Sequence, residues 1–294
     1  MSDMAPFDRA AVRRRRDRAA PGFAAHDFLF RAVAERLVDR LDDVTHRFPV
    51  ALEVGCRTGL IGPDVIGRGG VTTWIGCELS PAMATLAPAP VLVGDEERLP
   101  IADGAVDLIL APLSLHWVND LPGALVQMRR ALRPDGLLLA ALFGGATLSE
   151  LREALLAAEA TETGGAHPRV SPMTDLRDLG GLLQRAGFAL PVIDAEMLTV
   201  SYPDALALMR DLRGMGETNA TVARCRHPTR RAVLARAAAE YAQRAAEPDG
   251  RVTARFEVLY ATGWAPHPRQ QRPLRPGSAQ ARLADALATP EIKL

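Results

Sequence analysis

The sequence has no net charge, few cysteines and no long hydrophobic run. Its 294 residues carry 35 basic and 35 acidic side chains, a formal net charge of zero. That balance removes the general attraction on which nucleic-acid and anionic-membrane binders rely. The three cysteines, Cys56, Cys77 and Cys225, show no paired spacing. Free thiols in a reducing compartment account for them better than a disulfide frame or a metal site. The six histidines (His26, His46, His116, His167, His227 and His267) are dispersed, and none stands in a His-x-Asp/Glu pattern. The two histidines and one carboxylate of an oxygen-activating iron site are therefore missing as a local motif. No stretch is long and apolar enough to span a bilayer, and no apolar run after the basic cluster at 13–18 resembles a secretory signal. With 48 % hydrophobic residues, the expectation is a cytoplasmic globular chain with a sizeable core.

What is present centres on Glu53-Val54-Gly55-Cys56-Arg57-Thr58-Gly59. The apolar run Phe48, Val50, Leu52, Val54 reads as a buried strand, and Gly55 and Gly59 as a tight turn off its carboxyl end. In open α/β sheets this is where nucleotide-like ligands bind, because glycine lets main chain approach them. A second strand over 71–77 ends in Glu78, about 20 residues past the turn, the spacing of a ribose-binding acid. A third, over 91–94, ends in Asp95-Glu96. A fourth, over 106–111, leads into Leu113-Ser114-Leu115-His116-Trp117. A fifth, over 136–143, follows Leu132-Arg133-Pro134-Asp135, a turn in which Gly136 is expected to take the left-handed position. A poor helix start at 59–64 means the ligand need not carry phosphate.

The predicted fold class is α/β, a doubly wound, mostly parallel seven-stranded sheet with an antiparallel edge strand and helical additions. Helices are expected at 81–86, 122–132, 148–158, 176–186, 203–212 and 230–246. Two late strands are expected at 192–202 and 252–263, the latter antiparallel at the sheet edge. The segment 1–47 reads as basic and helical, with Arg13 to Arg16 and Arg18 on a solvated face and Phe23 to Leu41 packing against the sheet or over the cofactor mouth. Residues 48–265 form the domain, with a helical insertion around 148–250, and the Pro- and Arg-rich tail 266–294 is expected to be mobile.

The series Glu-x-Gly-x-x-x-Gly, Glu78, Asp95-Glu96 and Leu-Arg-Pro-Asp-Gly resembles a class I S-adenosylmethionine methyltransferase. Phe7-Asp8-Arg9, the tract from Ser114 to Pro122, Phe143-Gly144-Gly145, Ser171-Pro172, Arg185 to Phe188 and Gly214 to Asn219 narrow the likeness. They resemble the methyltransferase-like assembly factors of respiratory complex I, a family linked to arginine hydroxylation on a complex I subunit. The carrier-protein carboxyl methyltransferase of biotin synthesis is a more distant relative. The resemblance implies S-adenosylmethionine as cofactor, with Glu53, Gly55, Arg57, Gly59, Glu78, Asp95, Glu96 and Leu113 around it, and a protein subunit as substrate, without nucleic acid or membrane span. Arg57 departs from the family's glycine. It either crowds the methionine end, at a backbone cost of roughly 1–2 kcal/mol for positive φ, or turns away or pairs with the cofactor carboxylate.

Methyl transfer needs alignment and, for some acceptors, a base. His116 is a candidate base, although it and Trp117 also suit packing over the adenosine. Asn119 and Asp120 look like helix caps. Glu217 and Asn219 suit a guanidinium, which a carboxylate matches bidentately. No metal site is expected. Three functions follow: an enzyme modifying a protein subunit, an O-methyltransferase on a small or carrier-bound acid, and a non-catalytic assembly chaperone.

Overall fold

A computed structural model describes residues 5–271, 277–278, 281, 283–286 and 288–289; much of the tail expected to be mobile lies outside them. Seven strands form one sheet in the order β3-β2-β1-β4-β5-β7-β6. They are β1 (Val50–Val54), β2 (Thr73–Glu78), β3 (Val91–Val93), β4 (Val106–Pro112), β5 (Leu132–Phe143), β6 (Ala189–Tyr202) and β7 (Val252–Trp264). Strands β1 to β5 pair in parallel. β7 runs antiparallel to both β5 and β6. The edge position expected for 252–263 therefore belongs to β6, which pairs antiparallel with β7 along most of its length. The reason is visible in the side chains. β7 is buried almost throughout, whereas every second residue of β6 is exposed.

The α-helices among the described residues are α1 (Arg9–Ala19), α2 (Phe28–Asp39), α3 (Gly62–Val65), α4 (Pro81–Ala84), α5 (Leu121–Ala131), α6 (Ser149–Thr163), α7 (Leu176–Arg185), α8 (Ala205–Gly214), α9 (Arg231–Ala245) and α10 (Leu283–Ala286). One core joins Phe30, Val33 and Leu37 of α2 to Leu110 and Leu139 and to residues of α6, α8 and α9. The other joins Leu125 and Met128 of α5 and Leu179 and Leu183 of α7 to Leu52, Ile109 and Leu138. Alternate residues of the central strands thus enter opposite cores, as a sheet covered on both faces requires.

Local signals set the helix starts. Asp8, Asp120, Asp175 and Asp204 each accept a hydrogen bond from a first-turn amide, satisfying donors that have no partner within the helix. Of the two expected caps before Pro122, only Asp120 serves; Asn119 Oδ1 instead accepts the Phe7 amide at 2.8 Å. Where a turn is expected before the fifth strand, β5 already runs from Leu132, and within it Asp135, not Gly136, holds the left-handed backbone, φ 67°. Gly136 is required for close approach, since a Cβ there would stand 2.8 Å from the Arg133 carbonyl oxygen and 2.9 Å from that of Asp107.

The strand order reverses between β1 and β4, so their carboxyl ends open the crevice in which such sheets bind ligands. No described helix is long and apolar enough to cross a membrane.

Candidate functional site

The turn after β1 is closed by the Gly59 amide donating to the Cys56 carbonyl at 2.7 Å, and Gly55 and Gly59 both have positive φ. Gly55 tolerates no side chain, because a Cβ would fall 2.2 Å from that of Ser114. Arg57 also has positive φ, 51°, a conformation that costs on the order of 1–2 kcal/mol in a non-glycine residue. Its surroundings offset that cost. The Arg57 amide donates to Glu78 Oε2 at 2.9 Å, and its Nη2 donates to Glu217 Oε1 at 2.5 Å and to the Leu113 carbonyl at 3.3 Å. The guanidinium stacks 4.1 Å from the ring centre of Phe30. The Arg57 guanidinium thus lies towards α2 and the tract after α8. Leu113 enters the site through its carbonyl oxygen; its side chain is buried core.

The acids expected to gather around one ligand divide into two groups. Glu78, Asp95 and Glu96 come together through arginines of α1. Arg16 Nη1 donates to Glu78 Oε1 at 3.0 Å and to Glu96 Oε1 at 3.3 Å, and Arg9 Nη2 donates to Asp95 Oδ1 at 2.6 Å and to Glu96 Oε2. Burial alone would raise the Glu96 pKa, but Arg16 and Arg9 outweigh it and hold the group below its ordinary value. Glu53 does not join them. It lies beneath the turn, accepting from the Ile61 amide and from Trp74 Nε1 at 2.9 Å. With no cation beside it, burial pushes its pKa up to about 8, only partly opposed by those hydrogen bonds. Glu53 therefore braces the turn from below.

Glu217, in the loop after α8, is the hub on the other side. Its Oε1 faces Arg57, while Oε2 accepts from Trp117 Nε1 at 2.7 Å and stands 3.0 Å from His116 Nε2. Burial would raise its pKa, yet His116 and Arg57 dominate and hold it at about 2. Burial lowers the His116 pKa, opposed by Glu217. A neutral ring that donates Nε2–H to Glu217 keeps an unshared pair on Nδ1, which has no partner. Asn219 points elsewhere, its Oδ1 accepting from the Thr221 amide and hydroxyl and its Nδ2 donating to the Pro168 carbonyl. It shapes the loop, while Glu217 faces the site.

Beside Glu217 opens a cavity of about 250 Å³, walled by Phe143, Leu151, Leu155, Met173, Leu212 and Phe256. Arg169 and Arg213 also line it. Glu159 receives Arg169 and His167 at 2.5–3.1 Å and so holds the loop between α6 and α7 against it.

Arg9 and Arg16 are the site residues that the sequence alone did not single out. The cluster at 13–18 reads as a solvated face, and Arg13, Arg14 and Arg18 are exposed, but Arg16 is fully buried. Residues 9, 12, 16 and 19 fall on one helical stripe, which was the available signal.

The site is well suited in kind to S-adenosylmethionine. Glu78, Asp95 and Glu96 are acceptors of the kind that ribose hydroxyls and an adenine amino group would need, here met by Arg9 and Arg16. Arg9 Nε, Arg16 Nε and Nη2, and Arg57 Nε and Nη1 are buried donors without hydrogen-bond partners among the described residues, although Arg9 Nε lies 3.7 Å from Glu97 Oε1. Such groups are costly unless a ligand carboxylate or hydroxyl meets them. In this arrangement, however, Arg16 itself stands between Glu78 and Glu96. Among the described residues no group of three or more His, Cys, Asp or Glu is placed to hold a metal ion.

Comparison with known proteins gives the family and the fold. Residues 52–140 match a methyltransferase domain. The chain is 41 % identical to the mitochondrial arginine-hydroxylase NDUFAF5 of Danio rerio over 95 % of its own length and 88 % of the relative's. It is 37 % identical to the malonyl-[acyl-carrier protein] O-methyltransferase of Xylella fastidiosa, over 88 % and 89 % of the two chains. Among solved structures, the YcgJ protein of Bacillus subtilis superposes with a TM-score of 0.54 at 14 % identity, covering 79 % of this chain and 98 % of that one, a likeness of fold alone. With that identity sustained along nearly the whole chain, it belongs to the arginine-hydroxylase NDUFAF5 family, built on a class I methyltransferase fold.

Proposed function

We propose that this protein binds S-adenosylmethionine at Glu78, Asp95 and Glu96 and modifies an arginine side chain of a protein subunit of respiratory complex I during assembly. The observation that carries the reading is Glu217. It is a carboxylate kept charged at the end of an apolar cavity and joined by Arg57 to the cofactor turn. An arginine entering the cavity would lay its methylenes against Leu151, Leu155 and Met173, and its cation would meet an acid. The cofactor, when bound, supplies a sulfonium centre. Hydroxylation would in addition draw its oxygen from dioxygen, with a two-electron reductant from outside this chain taking the second oxygen atom to water, while this chain's residues orient the reactants. Arg57 fixes the Glu217 carboxylate, Trp117 and Phe143 hold the His116 ring, and His116 Nδ1 is free to take a proton.

Family membership supports hydroxylation over methyl transfer. The second reading, O-methylation of an acid, draws on Arg169 and Arg213 beside the same cavity, where a substrate carboxylate could be held. The protein would act from the cytoplasm and reach a membrane-borne complex through its partner. Intact-mass and peptide analysis of candidate subunits, prepared with and without this protein, tests the proposal. A gain of one oxygen on an arginine agrees with it, a gain of one methylene on a carboxyl group favours the second reading, and no change overturns both.

A further inference from the structure

Helix α1 packs Ala11 and Val12 against Leu79, Trp117 and Ala220 and sinks Ala19 into the main core, and its polar contacts run to both halves of the site. Towards the cofactor side, Arg16 reaches Glu78 and Glu96, Arg9 reaches Asp95 and Glu96, and Ser80 Oγ donates to Asp17 Oδ1 at 2.5 Å. Towards the substrate side, Arg15 Nη1 donates to the Thr218 carbonyl at 2.6 Å. The Asp8 amide donates to the Ala220 carbonyl at 2.8 Å, and Arg224 Nη2 donates to Asp8 Oδ2 at 2.7 Å. Gly216, with a φ of 78°, turns this loop against the helix, where it lies beside Arg16 and Ala19. Arg16 is fully buried, yet its Nε and Nη2 have no acceptor. A buried guanidinium with unmet donors is a poorly satisfied occupant, one that a better-matched ligand can exchange.

We propose that α1 is a built-in competitor for the cofactor: the Arg16 guanidinium occupies the seat between Glu78 and Glu96, and the cofactor enters as α1 lifts away. This rests on the cofactor reading above. Because α1 also ties down Thr218 to Thr221 next to Glu217, lifting it loosens the loop that borders the substrate cavity. Cofactor entry thereby prepares the substrate side, and a protein substrate is admitted second. The proposal concerns the helix, whereas the cofactor reading concerns the acids, so the two can fail separately.

The test is calorimetric titration of S-adenosylhomocysteine into the full chain and into Arg16→Ala, with hydrogen exchange read across residues 9–19. Removing a self-occupying group raises apparent affinity by the inverse of the open fraction. The expected result is binding to Arg16→Ala at least about tenfold tighter than to wild type, and loss of exchange protection over 9–19 when wild type is saturated. Equal or weaker binding by the variant, or protection gained over 9–19, overturns the competitor role and leaves the cofactor reading standing. Absence of binding to both proteins removes both. If Arg16→Ala does not fold, Arg15→Ala with Asp17→Ala, which loosens α1 from outside the seat, decides the matter by the same criteria.

Discussion

The buried carboxylate beneath the glycine turn and those above it are treated in opposite ways by the fold. Below it, Glu53 meets an amide and an indole N–H but no cation, and burial drives it towards the neutral acid, with a pKa of about 8. Above it, Glu78 and Glu96 face Arg16 and Arg9, while Glu217 faces Arg57 and stays ionised, with a pKa of about 2. The same residue type therefore serves as a neutral brace on one side and as charged machinery on the other. The difference lies in which cations the topology delivers. Of these cations, Arg16 comes from a cluster that reads as solvated, and Arg57 from a position where the family pattern has glycine.

The sharpest break of this contrast is Glu217→Gln. It strips Arg57 of its counter-ion inside the protein, and breaking a buried pair in this way costs about 3–5 kcal/mol. Urea unfolding at pH 7 should show that loss.

Acid titration should reveal the same asymmetry. Because the folded-state pKa of Glu217 lies below its ordinary value of 4.5, its stabilisation is complete above that value and disappears as the pH falls towards about 2. Thermal melts of wild type should therefore drop through this window, and Glu217→Gln should drop less. Glu53 acts with the opposite sign. Its folded-state pKa is raised, so the native protein holds a proton that the unfolded chain releases, and stability declines as pH rises from about 4.5 to about 8. Glu53→Gln should remove that decline and be the more stable protein above pH 8. A wild type whose stability rises across this window in the same way as the variant's would contradict the assignment.

Smaller effects bound the comparison. Asn219→Ala should cost about 1 kcal/mol, since it removes the acceptor of the Thr221 amide from a partly buried loop. Asp103→Ala breaks the exposed pair with Arg130 and should change stability by less than about 1 kcal/mol.

The parallel half of the sheet was legible because strands buried on both faces read as unbroken apolar runs, as in Leu108-Ile109-Leu110-Ala111 and Leu137 to Phe143. Turn chemistry was less transparent, and Asp135 rather than Gly136 holds the left-handed position because a tight approach of two carbonyls had already claimed the glycine. Strand order at the far edge was not legible either. β6 and β7 both alternate in sequence, and only their contacts decide which one is covered. The site was half visible. Glu78, Asp95 and Glu96 follow from spacing, because strand ends in this topology must share a rim. The burial of Arg16 does not, since its partners lie 62 and 80 residues away, and a charged side chain inside a protein is explained only by what meets it there. Arg57 was recognised as a departure, but its direction depended on Glu217, 160 residues further on.

The central claim is that the acids above the turn form the cofactor seat. Titrating S-adenosylhomocysteine into wild type and Glu78→Ala by calorimetry tests it most directly. The account predicts saturable binding by wild type and a loss of at least about tenfold in the variant, the scale of one charge-assisted hydrogen bond. Equal affinity in the two proteins, or no binding by wild type, would contradict it.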